Sequence, residues 1–129
     1  MARKPRVSIA IAQLMTRSER HAWTLEDLHS SLGRSGMHTD FSSVFRATEK
    51  LVADGSVRKL QLEDGRTYFE RASAHHDHLH CTRCGELVAI PCVVPRRTLA
   101  AVENKTGVAI TEHQVSFVGL CKSCRAATP

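Results

Sequence analysis

The sequence predicts an α+β protein of two domains. A winged helix is expected in residues 1–71 and a small α/β domain in residues 75–129, with a hinge at about 71–75. The first part shows a pattern of three helices followed by a hairpin, while all five cysteines fall in the second part. A chain of 129 residues can form two small domains, and small domains benefit from a bound metal in place of a large core.

Two helices are expected at the start of the winged helix. The first spans residues 7–15, where apolar side chains recur at helical spacing. The second follows Thr24, whose hydroxyl can cap a helix N-terminus, and Asp27 stands three residues on. Gly33 is expected to end this second helix, because glycine is common just after a helix C-terminus.

A third helix is expected between a cap at Thr39 or Asp40 and a stop at Asp54-Gly55. Its apolar residues at helical spacing are Phe41, Val44, Phe45, Leu51 and Val52. The polar residues of its other face are Ser42, Ser43, Arg46, Glu49 and Lys50. The helix is therefore amphipathic, with one side available to a partner.

Two strand-like runs follow the third helix, at residues 57–62 and 66–69. They are joined through Glu63-Asp64-Gly65, where Asp-Gly would supply the positive φ angles of a tight turn. Three helices and then a hairpin is the element order of a winged helix, in which the third helix enters the DNA major groove. The candidate DNA contacts are Ser42, Ser43, Phe45 and Arg46, with Arg46 foremost. The alternatives are an ordinary solvated helix face and, for Phe45, a place in the core.

The second part is expected to be a small α/β domain. Strands are expected at residues 75–81 and 86–90, followed by a helix that Pro95 opens and Gly107 ends. Two further strand-like runs cover residues 108–110 and 113–120. An exposed strand edge in this domain could pair with a second copy of the chain.

Two C-x-x-C pairs, separated by 36 residues, are the strongest chemical signal in the chain. Each pair can place two sulfurs at one side of a tetrahedron, so together they predict a four-thiolate zinc site formed by Cys81, Cys84, Cys121 and Cys124. Disulfides or unrelated thiols are the alternatives. No apolar segment resembles an export signal or approaches the roughly 20 residues that span a bilayer, so we expect a cytoplasmic protein with reduced cysteines. The formal charge of +5 permits nucleic-acid binding without demonstrating it.

A histidine-rich run, residues 75–80, leads directly into the first cysteine pair. Because side chains alternate along a strand, His76 and His78 should lie on one face, while His75 and Asp77 lie on the other. One strand can thus contribute ligands to two metal sites. The alternative is a surface cluster, or histidines that only donate hydrogen bonds to the zinc thiolates.

At this point the sequence resembles the ferric uptake regulator family, over nearly the whole chain. The matching motifs are His75-His76-Asp77-His78-Leu79-x-Cys81-x-x-Cys84-Gly85, Ser43-Val44-Phe45-Arg46 for the family's Thr-Val-Tyr-Arg, His113, and Cys121-x-x-Cys124. The resemblance implies a dimeric repressor that binds palindromic operator DNA when loaded with metal. It also implies that the four paired cysteines hold a structural zinc.

The resemblance further implies a sensory metal site at the hinge. His76 and His78 match two of its ligands, and Glu70 can supply the carboxylate from the end of the wing. The family also uses a histidine just before the second helix. Ala22 stands at that position here, and its neighbour His21 is the candidate.

A possible accessory site matches at His75, Asp77 and His113, but Arg96 stands where the family has a glutamate. A guanidinium cannot ligate a cation, so Glu103 or Glu112 would have to substitute. A further family acid is replaced by Ala89, and Cys92 lies three residues on. Cys92 is either a ligand that takes the place of this acid or a small buried thiol.

The expected function is metal-dependent repression of transcription, and zinc is the preferred metal because the departures remove carboxylates and leave nitrogen and sulfur donors. Iron or manganese sensing, or peroxide sensing within the same family, is the second reading. A zinc hydrolase is a reading of another class, but the sequence has no H-E-x-x-H motif. A zinc-binding module that contacts proteins and not DNA is the remaining one. We therefore expect no enzyme activity.

Overall fold

The computed structural model describes residues 6–127, so the ends of both predicted domains, residues 1–5 and 128–129, lie outside the described part. The elements in chain order are α1 (Arg6–Arg17), α2 (Leu25–Arg34), α3 (Phe41–Ala53), β1 (Val57–Gln61), β2 (Thr67–Arg71), β3 (Asp77–Cys81), β4 (Leu87–Ile90), α4 (Arg96–Thr106), β5 (Ser116–Gly119) and α5 (Lys122–Ala126). The chain divides between Ser73 and Ala74 into two compact units, called unit 1 and unit 2 below. None of the described helices is long and apolar enough to cross a membrane.

Unit 1 has the expected winged-helix order, with α1, α2 and α3 followed by the antiparallel hairpin β1–β2. Its helices and hairpin enclose one hydrophobic core. The residues of this core are Ile11, Met15, Trp23, Leu28, Leu32, Val44, Ala47, Leu51, Val57 and Phe69. Burying each large apolar side chain contributes about 1.5–3 kcal/mol, so hydrophobic burial is the main stabilising contribution in this unit.

The start of α2 is capped as expected, while its end differs. The Thr24 hydroxyl accepts the Asp27 N–H at 3.1 Å, and the Asp27 carboxylate accepts the Thr24 N–H at 2.9 Å. Gly33 does not end the helix, which continues to Arg34. Gly36, with φ of 96°, takes the left-handed conformation after the C-terminus that the sequence assigned to Gly33.

The helix α3 begins after Asp40 and ends at Asp54-Gly55 as expected. Its apolar side is narrower than the sequence suggested, because Phe41 and Phe45 are 42% and 47% exposed and lie outside the core. In the hairpin turn only Gly65 has a positive φ, of 79°, so the turn does not place Asp64 in a left-handed conformation.

Unit 2 contains a three-stranded sheet in the order β4–β3–β5. The central strand β3 runs antiparallel to β4 and parallel to β5. As expected, α4 follows Pro95 and ends at Gly107, whose φ is 75°. The strand expected at residues 108–110 is wrong, because the Glu103 carboxylate accepts the Ile110 N–H at 2.9 Å in place of a strand partner. The short helix α5 was not expected.

Candidate metal centres and nucleic-acid interface

The two cysteine pairs meet at one end of the unit 2 sheet. Pairing of β3 with β5 sets Cys81 opposite Gly119, and Cys121 follows two residues later. The Thr82 N–H donates to the Gly119 carbonyl at 2.9 Å, which holds the two segments together. All four sulfurs lie within 4.8 Å of one another. The paired strands therefore bring together two motifs that are far apart in sequence.

The spacing of these sulfurs fits a tetrahedral zinc ion. For Zn–S bonds of about 2.3 Å, the edge of a regular tetrahedron of sulfurs is about 3.8 Å. The Cys84 and Cys121 sulfurs are 3.8 Å apart. The backbone N–H groups of Cys84 and Cys121 lower the pKa of the Cys81 thiol, whereas the hydrogen bond that the Cys124 thiol donates to Cys121, together with burial, raises the pKa of Cys124. The backbone of the cluster therefore favours the thiolate form of Cys81, and a divalent cation would balance that negative charge.

A second cluster in unit 2 contains His75, Asp77, Cys92 and His113, whose potential ligand atoms also lie within 4.8 Å of one another. The Nε2 atoms of His75 and His113 are 3.0 Å apart. The Cys92 sulfur lies 3.4 Å from His113 Nε2, and Asp77 Oδ1 lies 3.7 Å from His75 Nε2. Cys92 is exposed, so the reading of a small buried thiol is wrong.

Glu103 and Glu112, the suggested substitutes at the accessory site, do not join this cluster. The Glu103 carboxylate instead binds the Ile110 N–H. Cys92 is the residue that sequence reasoning failed to place here. Its position between β4 and α4 was the available signal, since the antiparallel pairing sets Ile90 opposite Asp77 and leaves Cys92 two residues beyond.

Within unit 1, His21 contacts Glu70. The His21 Nε2 atom is 2.6 Å from Glu70 Oε2, and the Glu70 side chain is only 1% exposed. Paired backbone hydrogen bonds between Trp23 and Phe69, of 2.9 and 2.7 Å, align the two segments that carry this pair. His21, and not the buried Ala22, is therefore the residue that faces the carboxylate.

Within unit 2, the rings of His76 and His78 lie together, with centroids 4.7 Å apart. His76 Nδ1 is 2.9 Å from the Ala74 carbonyl, which orients the ring and leaves Nε2 as a ligand atom. His78 is buried in β3. The alternation expected along the strand is present, since His76 and His78 pair with each other while His75 and Asp77 meet His113.

The candidate DNA contacts share one face of α3. Ser42, Phe45 and Arg46 are exposed and Ser43 is half-buried, while Val44 and Ala47 turn into the core. Phe45 is therefore not a core residue. An exposed aromatic ring beside a guanidinium and hydroxyl groups is a surface that can contact base edges and methyl groups in a major groove.

Asp40 organises the polar part of this face. Its carboxylate accepts hydrogen bonds from the hydroxyl groups of Ser42 and Ser43, and these bonds lower its pKa to about 2. An Arg46 guanidinium nitrogen lies 3.3 Å from the Ser43 hydroxyl oxygen. The first turn of α3 thus holds both serines in defined positions.

Comparison with known proteins agrees with these features. A model of the ferric uptake regulator family matches residues 3–118. A ferric uptake regulation protein of Legionella pneumophila is 26% identical over 91% of this chain and 87% of its own length. A zinc uptake regulation protein of Mycobacterium tuberculosis is 28% identical over 78% of each chain. The crystal structure of the Vibrio cholerae ferric uptake regulator is 25% identical, with a TM-score of 0.79 over 94% of this chain and 92% of its own.

The chain belongs to the ferric uptake regulator family, whose members are metal-responsive transcriptional regulators. The resemblance inferred from the histidine and cysteine motifs is confirmed, and so is the α+β fold with a winged helix. Iron and zinc regulators are found at similar identity. Family membership therefore leaves the metal to be decided by the ligands of this chain.

Proposed function

We propose that this chain is a zinc-responsive repressor that acts in the cytoplasm as a homodimer on palindromic operator DNA. In this proposal the four paired cysteines bind a structural zinc. A second ion binds His21 and Glu70 of unit 1 together with His76 and His78 of unit 2. An iron- or manganese-responsive regulator with the same fold is the second candidate.

The observation that carries the proposal is that the candidate ligands within each unit already lie next to one another. The buried Glu70 carboxylate already faces His21 in unit 1, and His76 already lies against His78 in unit 2. Three imidazoles and one carboxylate are donors that suit a tetrahedral zinc ion. Manganese prefers oxygen-rich sets with bound water. The donor chemistry supports zinc over manganese. Imidazole and carboxylate suit iron as well, so the measured metal dependence decides between zinc and iron.

Binding one ion through ligands from both units would couple metal concentration to DNA binding. Metal would favour the arrangement in which the two α3 helices of a dimer match two operator half-sites. A metal at 100 times its dissociation constant stabilises the binding-competent state by about 2.7 kcal/mol. If the metal-free protein rarely adopts that arrangement, this stabilisation corresponds to roughly a 100-fold gain in operator affinity.

The exposed apolar surface of unit 2 supports the homodimer. Its large exposed hydrophobic residues are Val93, Val102, Val108, Phe117, Val118 and Leu120. The strand β5 lies at an edge of the sheet, and α4 has no buried residue. An apolar helix side and an unpaired strand edge on one small unit are features that association with a second copy would cover.

The experiment is operator selection from random DNA by the purified protein, followed by affinity measurements at one stated salt concentration with zinc, manganese or anaerobic ferrous iron. We expect tight binding at the lowest free concentration with zinc. His76→Ala with His78→Ala should abolish the metal response, while His38→Ala, an exposed histidine outside these clusters, should keep it. Unchanged metal dependence in the double variant would reject the sensory site.

Arg46→Ala tests the DNA face separately. Loss of an arginine that contacts a base costs about 1–3 kcal/mol, or roughly 5- to 150-fold in affinity. Arg97→Ala removes the same charge from an exposed position on α4 and is the control. If ferrous iron supports binding at lower free concentration than zinc, the iron-responsive candidate replaces the zinc one.

A further inference from the structure

We propose that Cys92 completes a thiolate-containing zinc site with His75, Asp77 and His113, wholly inside unit 2. This inference extends the proposed function, because it adds a further zinc-binding site to the regulator, but it requires no residue of unit 1. The donor set of two imidazoles, one carboxylate and one thiolate differs from the oxygen and nitrogen set that the family resemblance implied, in which a glutamate stood at the position of Arg96.

The spacing of the donor atoms fits one tetrahedral ion. With Zn–N bonds of about 2.0–2.1 Å and Zn–S bonds of about 2.3 Å, the tetrahedral edges are about 3.3 Å between two nitrogens and about 3.6 Å between nitrogen and sulfur. The corresponding distances are 3.0 Å between the His75 and His113 Nε2 atoms and 3.4 Å between His113 Nε2 and the Cys92 sulfur. Shifts of a few tenths of an ångström would bring these two edges to the tetrahedral values.

The buried carboxylate of Asp77 builds the site from beneath. It accepts the Val93 N–H at 3.1 Å on one oxygen and the Val115 N–H at 3.2 Å on the other. Val93 follows Cys92 directly, and Val115 lies two residues after His113. The fully buried Asp77 side chain therefore holds in place both loops that carry the outer ligands, Cys92 and His113. A chance cluster of surface residues would not need such an anchor.

The chemistry of the four donors favours zinc. A thiolate and a carboxylate together balance the double charge of the ion, so sulfur supplies the negative charge that a second carboxylate would otherwise provide. Thiolate with imidazole selects zinc over manganese, which prefers oxygen. Two ligands of this site, His75 and Cys92, are exposed, whereas Cys84 is the one exposed ligand among the four paired cysteines, so this site should exchange its metal more readily.

Cobalt(II) titration of the full chain, with zinc retained at the paired cysteines, tests the inference. Cobalt is the probe because it takes the geometry of zinc and gives a thiolate-to-cobalt charge-transfer band. The sensory site contains no sulfur, so we expect this band to come from Cys92. Cys92→Ser and His113→Ala should lose it. Cys92→Asp should still bind cobalt, without the band, because its carboxylate replaces the thiolate. His76→Ala with His78→Ala should keep it.

Absence of the band in the unaltered protein would overturn the inference. A band that survives in Cys92→Ser would do so as well, since cobalt would then have entered the cysteine cluster. A band lost in the His76→Ala, His78→Ala variant but kept in His113→Ala would assign Cys92 to the sensory site instead. Zinc-dependent operator binding is measured separately, so its absence with the band intact would reject the proposed function and leave the metal site standing.

Discussion

The two units of this chain are stabilised in different ways. Unit 1 buries a continuous set of large apolar side chains, among them Trp23, Leu28 and Phe69. Among the described residues of unit 2, Leu87 is the one buried aliphatic or aromatic side chain, and the thiols of Cys81 and Cys121 are buried as well. Its other buried side chains are polar: Asp77, His78 and His80.

This difference shows how a small unit can do without a large core. The unfolding of unit 1 exposes apolar surface. For unit 2, the proposed sources of stability are a cation bound by the four paired cysteines and a second copy that covers the exposed apolar residues. If a bound metal stabilises unit 2 in this way, its structure can respond to metal concentration. Unit 1 has a hydrophobic core of its own, and in the proposed function it is the unit that contacts DNA.

Removing the cysteine cluster should have the largest effect. Cys81→Ser with Cys84→Ser removes two ligands, and a structural zinc contributes about 10–16 kcal/mol in small zinc-binding peptides. We expect unit 2 to lose amide protection in hydrogen exchange. The single tryptophan, Trp23, is buried in unit 1 and should keep its fluorescence.

Lys122→Ala with Ser123→Ala is the matched control for that variant, because it changes two exposed residues between the paired cysteines and removes no ligand. Unit 2 should stay protected in it. A red shift of Trp23 emission together with the loss of protection in unit 2 would show that the two units unfold as one, which contradicts the comparison.

An intermediate effect is expected from Leu28→Ala in the core of unit 1. Leu28 is fully buried, and such truncations cost about 2–5 kcal/mol. Urea unfolding followed by Trp23 fluorescence should show this loss, with the zinc content unchanged. Leu120→Ala shortens an exposed leucine of unit 2 and should change the same transition by less than about 0.5 kcal/mol. Equal losses of unfolding free energy in the Leu28→Ala and Leu120→Ala variants would contradict the assignment of this core to unit 1.

The smallest effect is expected from Phe117→Ala on β5. Phe117 is exposed in a single chain, so its loss should leave the stability of unit 1 unchanged. If the second copy covers it, truncation should weaken dimerisation by about 2 kcal/mol, or roughly 30-fold. Sedimentation equilibrium measures this constant. Ile9→Ala, an exposed apolar residue of α1, should not change it, and an unchanged constant for Phe117→Ala would remove this face from the interface.

Patterns within short segments predicted much of the molecule. The capping box at Thr24, the limits of α3, the hairpin and the helix between Pro95 and Gly107 follow from neighbouring residues, and the structure contains them. The prediction failed where a side chain from another element bound a backbone N–H group. The Ile110 N–H donates to the Glu103 carboxylate, and the strand expected at residues 108–110 does not form.

The sequence by itself determined the order of the elements, the two cysteine pairs and the alternation of histidines along β3, because helix, strand and ligand spacing are properties of consecutive residues. Only the tertiary structure decided that His21 faces Glu70 and that Cys92, 21 positions before His113, joins the second cluster. Pairing of distant segments sets these contacts. The bridge between Trp23 and Phe69 and the two loops bound by Asp77 are the physical reasons.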